Sequence, residues 1–197
     1  MREKPRKLAI VTALAMLAGM LGAMPAVSQQ MPQRQGFFDI RSATTHLNNG
    51  VHELEARLQL ILSDEALDAL NSGVPLRIEL EFEVIRIRGL WIDDQTAILN
   101  FMYELEYRPL SQRYIVRNLN SGDQDSFSTL YSALNNLGRI QNLPVIDDAV
   151  LKPHAKYRFR LRAKLSTRQY PSALRLLFFW RSQWQLESNW YEWTLVR

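Results

Sequence analysis

Histidine is the side chain best suited to proton transfer near neutral pH, and this chain has three: His46, His52 and His154. The first two flank an Asn48-Asn49-Gly50 turn, and the third sits in the loop Lys152-Pro153-His154-Ala155-Lys156. A catalytic histidine needs a nucleophile and an orienting acid beside it in space. No G-x-S-x-G, H-E-x-x-H, S-x-x-K or phosphate-cradling G-x-x-x-x-G-K supplies them. A hydrolase would therefore have to assemble a histidine, an acid and a hydroxyl from distant segments. With no cysteine there is no thiolate nucleophile, disulfide, cysteine-ligated zinc or iron–sulfur cluster, and no cofactor is expected.

The acidic pairs fare similarly. Gly122–Ser126 begins like a calcium loop, with Asp123 and Asp125 at alternate positions. The sixth and twelfth positions, where such a loop needs glycine and glutamate, are Ser128 and Leu134. Asp125 or Ser126 is better read as the cap of a following helix. Asp93-Asp94 and Asp147-Asp148 stand beside turns, where aspartates bond the backbone locally.

Two features remain. Lys156, Arg158, Arg160, Arg162 and Lys164 put five cations on one face of an alternating run, with Tyr157, Phe159, Leu161, Ala163 and Leu165 on the other. Such a stripe can dock on an acidic protein or an anionic membrane surface. It can equally pair with the acids of a neighbouring strand, for which Glu79, Glu81 and Glu83 have the matching alternation. If it docks, reversing Arg158, Arg160 and Arg162 to glutamate is expected to abolish partner capture without unfolding the domain. The C-terminal aromatics Trp180, Trp184, Trp190, Tyr191 and Trp193 could form a ligand or glycan platform, or a hairpin that closes the core.

The elements that must position these residues are mostly strands. Phe37–Leu47 reads as a first strand, and Leu54, Ala56, Leu58, Leu60 and Leu62 alternate along a second. Ser63–Gly73 predicts a short helix capped by Ser63, with Asp64 and Glu65 at the positive end of its dipole. A long strand follows from Leu76, with a parity switch at Val84-Ile85 that signals a β-bulge or a corner between two sheets. Residues 97–107 alternate again and Arg113–Leu119 returns as a hairpin partner. Asn120–Asp125 reads as a loop. Phe127, Leu130, Tyr131, Leu134 and Leu137 then fall at helical spacing, and a link containing Pro144 leads to the basic strand. Ser172–Trp180 could be helix or buried strand, and two short strands end the chain.

Seven or eight strands with two short inserted helices predict a mainly β protein, an antiparallel β-sandwich of immunoglobulin-like kind, as one domain over residues 37–197. Residues 29–36 read as a flexible linker.

The destination comes from residues 1–28. Arg2, Lys4, Arg6 and Lys7 precede an uncharged stretch, Leu8–Val27, which leads to the small-x-small exit Ala26-Val27-Ser28. That is the pattern of a secretory signal peptide cut after Ser28. The alternative is an inner-membrane anchor retained over residues 8–27. Either way the domain is expected outside the cytoplasm, in the periplasm. Most of the chain's net charge of +4 belongs to this leader: residues 29–197 hold 20 basic and 19 acidic side chains. The balance is uneven, with 10 basic and 17 acidic over residues 29–148 against 10 basic and 2 acidic thereafter. No nucleic-acid partner is expected.

The phrases LSDEALDALNSGVPLRIELEFEV, SFSTLYSALNNLGRIQNLPVID and YRFRLRAKLSTRQYPSALRLLFFWRSQWQLESNWYEW resemble the proteobacterial exported family catalogued as domain of unknown function 4390, over residues 37–196. After Leu165 the chain reads STRQYP where that family more often has leucine–aspartate then leucine–proline, so no role passes to an acid there. The resemblance implies a small exported protein of Gram-negative bacteria, often encoded beside a nitrogen-regulation-type sensor kinase. It implies no activity, cofactor or catalytic residue. Together these readings predict a non-enzymatic interaction or regulatory module of the envelope, partnered by a sensor kinase or another envelope protein. The alternative is a small-ligand or glycan binder using Trp180, Trp184, Trp190 and Trp193.

Overall fold

Asn49 and Gly50 both have positive φ, 49° and 84°, as a two-residue hairpin turn requires. They join β1 (Phe37–Asn48) to β2 (Val51–Ile61). A computed structural model describes residues 34–89, 92–166 and 186–196. Residues 1–28, read above as a leader, residues 29–33 of the expected linker, Ser172–Trp180, Trp91 and Trp184 lie outside the described residues.

Nine described strands form two antiparallel sheets of a β-sandwich, in the orders β1-β2-β7 and β6-β5-β4-β3-β8-β9. The remaining strands are β3 (Leu76–Ile87), β4 (Asp94–Arg108), β5 (Arg113–Asn118), β6 (Gln124–Phe127), β7 (Arg139–Asp147), β8 (Lys156–Ser166) and β9 (Tyr191–Val196). Two helices are inserted, α1 (Asp64–Asn71) and α2 (Leu130–Leu137). Period-2 alternation turns Leu54, Ala56 and Leu60 of one sheet toward Ile78, Leu80, Phe82, Phe159 and Leu161 of the other. The parity switch at Val84-Ile85 is a register shift in the β3–β4 ladder.

Four expectations are corrected. The helix at 130 starts later than its apolar spacing suggested. Phe127 belongs to β6, and the cap is Thr129, whose hydroxyl accepts from the Ser132 N–H at 3.1 Å, rather than Asp125 or Ser126. Residues 124–125, expected in a loop, pair with Arg117 and Val116 on β5. The link containing Pro144 is strand β7, which pairs with β2 from Val51↔Asp147 to Arg57↔Arg139. Residues 34–36 are tied down: Arg34 N–H donates to Asp64 Oδ2 at 2.7 Å, and Gly36 lies against the backbone of residues 61–63. A Cβ on Gly36 would sit 2.3 Å from the Ser63 nitrogen.

Candidate functional site

The basic stripe lies on the outer face of the six-stranded sheet, and β8 is seated beside β3 in a register that sets three of its five cations against acids. Lys164 is opposite Glu79, Arg162 opposite Glu81 and Arg160 opposite Glu83. Arg160 contacts Glu83 at 2.6 Å and Arg162 contacts Glu81 at 2.5 Å. Lys164 reaches Glu81 at 3.0 Å and Glu79 at 3.6 Å. On the other flank Arg162 also pairs with Glu187, and Arg158 lies 3.5 Å from Asp93 and 3.7 Å from Glu192. The side chains of Glu79 and Glu83 are only 5% and 9% exposed. Burial pushes the Glu81 carboxyl up, but hydrogen bonds and charge from Arg162 and Lys164 together hold it below its ordinary range. Four of the five cations are therefore rungs of an ion-pair ladder. Lys156, at the end of the strand, is exposed and has no ion pair among the described residues.

The two described tryptophans of the proposed platform are divided between the faces of the sheet. Trp190 covers the ladder from outside, with the Arg160 and Arg162 guanidinium carbons 4.2 and 4.3 Å from its ring centre. Trp193 turns inward, packs against Phe82 and Phe159 at 5.9 Å each, and donates its indole N–H to Thr45 Oγ1 at 3.2 Å. Tyr191, 6.1 Å from Trp193, packs against the same core.

The histidines are not brought together. His46 pairs with Glu53 at 3.3 Å on the outer face of the small sheet, and exposed His154 occupies a left-handed position, φ 59°. His52 is buried between the sheets, with Nε2 3.0 Å from Asp148 Oδ1 and its ring edge-on to Phe159. A histidine–acid dyad thus exists, but His52 Nδ1 is buried without a hydrogen-bond partner, so among the described residues no hydroxyl stands where a nucleophile would. Among the described residues no cluster of acids and histidines could hold a metal ion. None of their helices is long and apolar enough to cross a membrane.

A cleft that the sequence reading did not single out lies between the helices and the far end of β2. The Leu58 N–H donates to the Gly138 carbonyl at 2.8 Å, where the chain leaves α2 for β7. Beyond Arg57 the β7 ladder stops while β2 runs on to Ile61. The gap is an open cavity of about 390 Å³ between that edge and the half-covered leucines Leu58, Leu67, Leu130 and Leu134. Tyr131, 79% exposed, stands beside it, and Arg34 lies at its margin. One signal in the sequence pointed here. Leu130, Ala133, Leu134 and Leu137 form one apolar stripe of the eight-residue helix with Tyr131 beside it, and α2 buries only Ala133 and Leu137 of these fully.

A family model described as Domain of unknown function (DUF4390) matches residues 36–194. No curated protein and no solved structure matches the chain.

Proposed function

The chain belongs to the DUF4390 family, and we propose that it is an exported interaction module of the cell envelope, holding a protein partner in the cleft between its two helices. The cleft carries this reading. Half-covered leucines side by side on a folded domain are a standing cost in water, and a partner that covers them removes it. Residues 1–28 support export, either as a signal cut after Ser28 or as an anchor that leaves the domain in the periplasm. A sensor kinase or another envelope protein is the partner class.

One observation favours a second surface: exposed Lys156 and the loosely paired Arg158, at one end of β8, remain open to an acidic partner or anionic headgroups. The aromatics favour a ligand platform less, because Trp190 already covers guanidinium groups and Trp193 is packed against the core.

The test is a photo-reactive phenylalanine placed at Tyr131, and separately at Lys156, followed by crosslinking in intact cells. A defined protein crosslinked through position 131 is the expected result. Crosslinks through 156 alone would move the docking face to β8, and none from either position would overturn the interaction reading. N-terminal sequencing of the exported form is expected to begin at Gln29 if the signal is cut.

A further inference from the structure

Resting on the cleft reading, we infer that the partner enters as an extended peptide, adding a strand to the free edge of β2 in the lane that β7 leaves. Consecutive residues of an antiparallel strand send their N–H and C=O pairs to opposite neighbours. Leu58 points its N–H away from β1, to Gly138. Leu60, two residues on, must therefore send its own N–H and C=O the same way, into the cleft. Among the described residues the β2–β7 ladder ends at Arg57↔Arg139, and no strand meets Leu60 on that side.

These two backbone groups decide between occupants. An acyl chain would fit the leucines but would cover the Leu60 N–H and C=O with nothing to bond them, at a cost comparable to a lost hydrogen bond for each. A peptide strand satisfies both groups and drops alternate side chains onto Leu67, Leu130 and Leu134. Charge narrows the peptide further. Among the described residues no carboxylate lines the cavity, and the guanidinium of Arg34 at its margin has no ion pair. Asp64 nearby already accepts the Arg34 backbone N–H at 2.7 Å. The ligand is thus a short extended segment with apolar side chains two residues apart and an acidic group that reaches Arg34.

The probe is a random octapeptide library displayed on phage, panned against the exported protein. Alternating apolar peptides with an acidic residue should be enriched. A selected peptide at saturation should slow hydrogen exchange at the Leu60 amide at least tenfold. Tyr131→Asp, at a largely exposed position, should weaken binding at least tenfold without shifting the melting temperature by more than a few degrees, and Arg34→Glu should turn the preference toward basic peptides. The inference is overturned by no enrichment, by selected peptides that leave Leu60 exchange unchanged, by decanoate filling the cavity and displacing them, or by self-association that buries Tyr131. A protein that crosslinks through position 131 in cells while no peptide protects Leu60 would keep the interaction reading and overturn strand addition.

Discussion

Trp193 on β9 donates its indole N–H to Thr45 Oγ1 on β1 at 3.2 Å, a bond across 148 residues that ties an edge strand of one sheet to an edge strand of the other. The same ring packs against both Phe82 and Phe159, so one side chain helps close the sandwich along that side.

Trp193→Phe should keep most of the ring packing and lose the bond, at about 1 kcal/mol. Trp193→Ala should cost about 3–5 kcal/mol. Trp190→Ala, which removes only the cover over Arg160 and Arg162, should cost about 0.5–1 kcal/mol. Urea denaturation of the three variants measures the order.

Lys164→Met should be destabilising by about 3–5 kcal/mol, because it leaves the buried Glu79 carboxylate without its cation. Adding Glu79→Met should recover much of that loss, and a double-mutant cycle by denaturant titration reads the coupling.

The triple reversal of Arg158, Arg160 and Arg162 to glutamate is no longer a test of docking on an intact fold. It would set new carboxylates directly across from Glu81 and Glu83, the latter almost wholly covered. Loss of the cooperative thermal transition, followed by circular dichroism, is the expected outcome; a variant melting within a few degrees of the wild type would show that the ladder is dispensable.

Glu81 gives the ladder a pH dependence. Its folded carboxyl is held below the ordinary 4.5, so its contribution is complete above that value and is lost as pH falls through the lower folded value. The wild type should lose thermal stability below about pH 4.5 more steeply than Glu81→Gln. That variant should be less stable at pH 7, and the two curves should converge in acid.

Gly138 has φ −79°, open to any residue, yet an added Cβ would lie 2.4 Å from the Leu58 carbonyl oxygen. Gly138→Ala should therefore cost about 1–3 kcal/mol through overpacking alone. Faster hydrogen exchange at the Leu58 amide should accompany it, since that amide bonds Gly138.

Strands β2, β3, β4 and β8 were legible because each keeps one face apolar over many residues, and period 2 then leaves little choice. Strand β7 was hidden. Its Gln141-Asn142 pair, Asn142 at φ 49°, and Pro144 break the alternation, and its place comes from pairing with β2 across two register shifts. Strand β6 is four residues long and mostly polar, too short to show a period. The cleft was invisible for a related reason: Leu58 and Leu60 read as core positions, and only the length of their neighbour decides that one is left half covered.

The sequence by itself determined the class of fold, the main strands, the outward cations of β8 and the outward acids of β3, since each is a local pattern of side-chain type against backbone period. Only the tertiary structure decided what those charges do. Arg160 meets Glu83 and Arg162 meets Glu81 across separations of 77 and 81 residues, and no local pattern specifies which strand lies beside which. The same non-local choice ends β7 opposite Arg57 and leaves the edge of β2 open between two helices. Strand pairing is fixed by the joint burial of both sheets, so a stripe that reads either as a docking face or as half of an ion-pair ladder became the ladder, and a run of leucines that reads as core became a cleft.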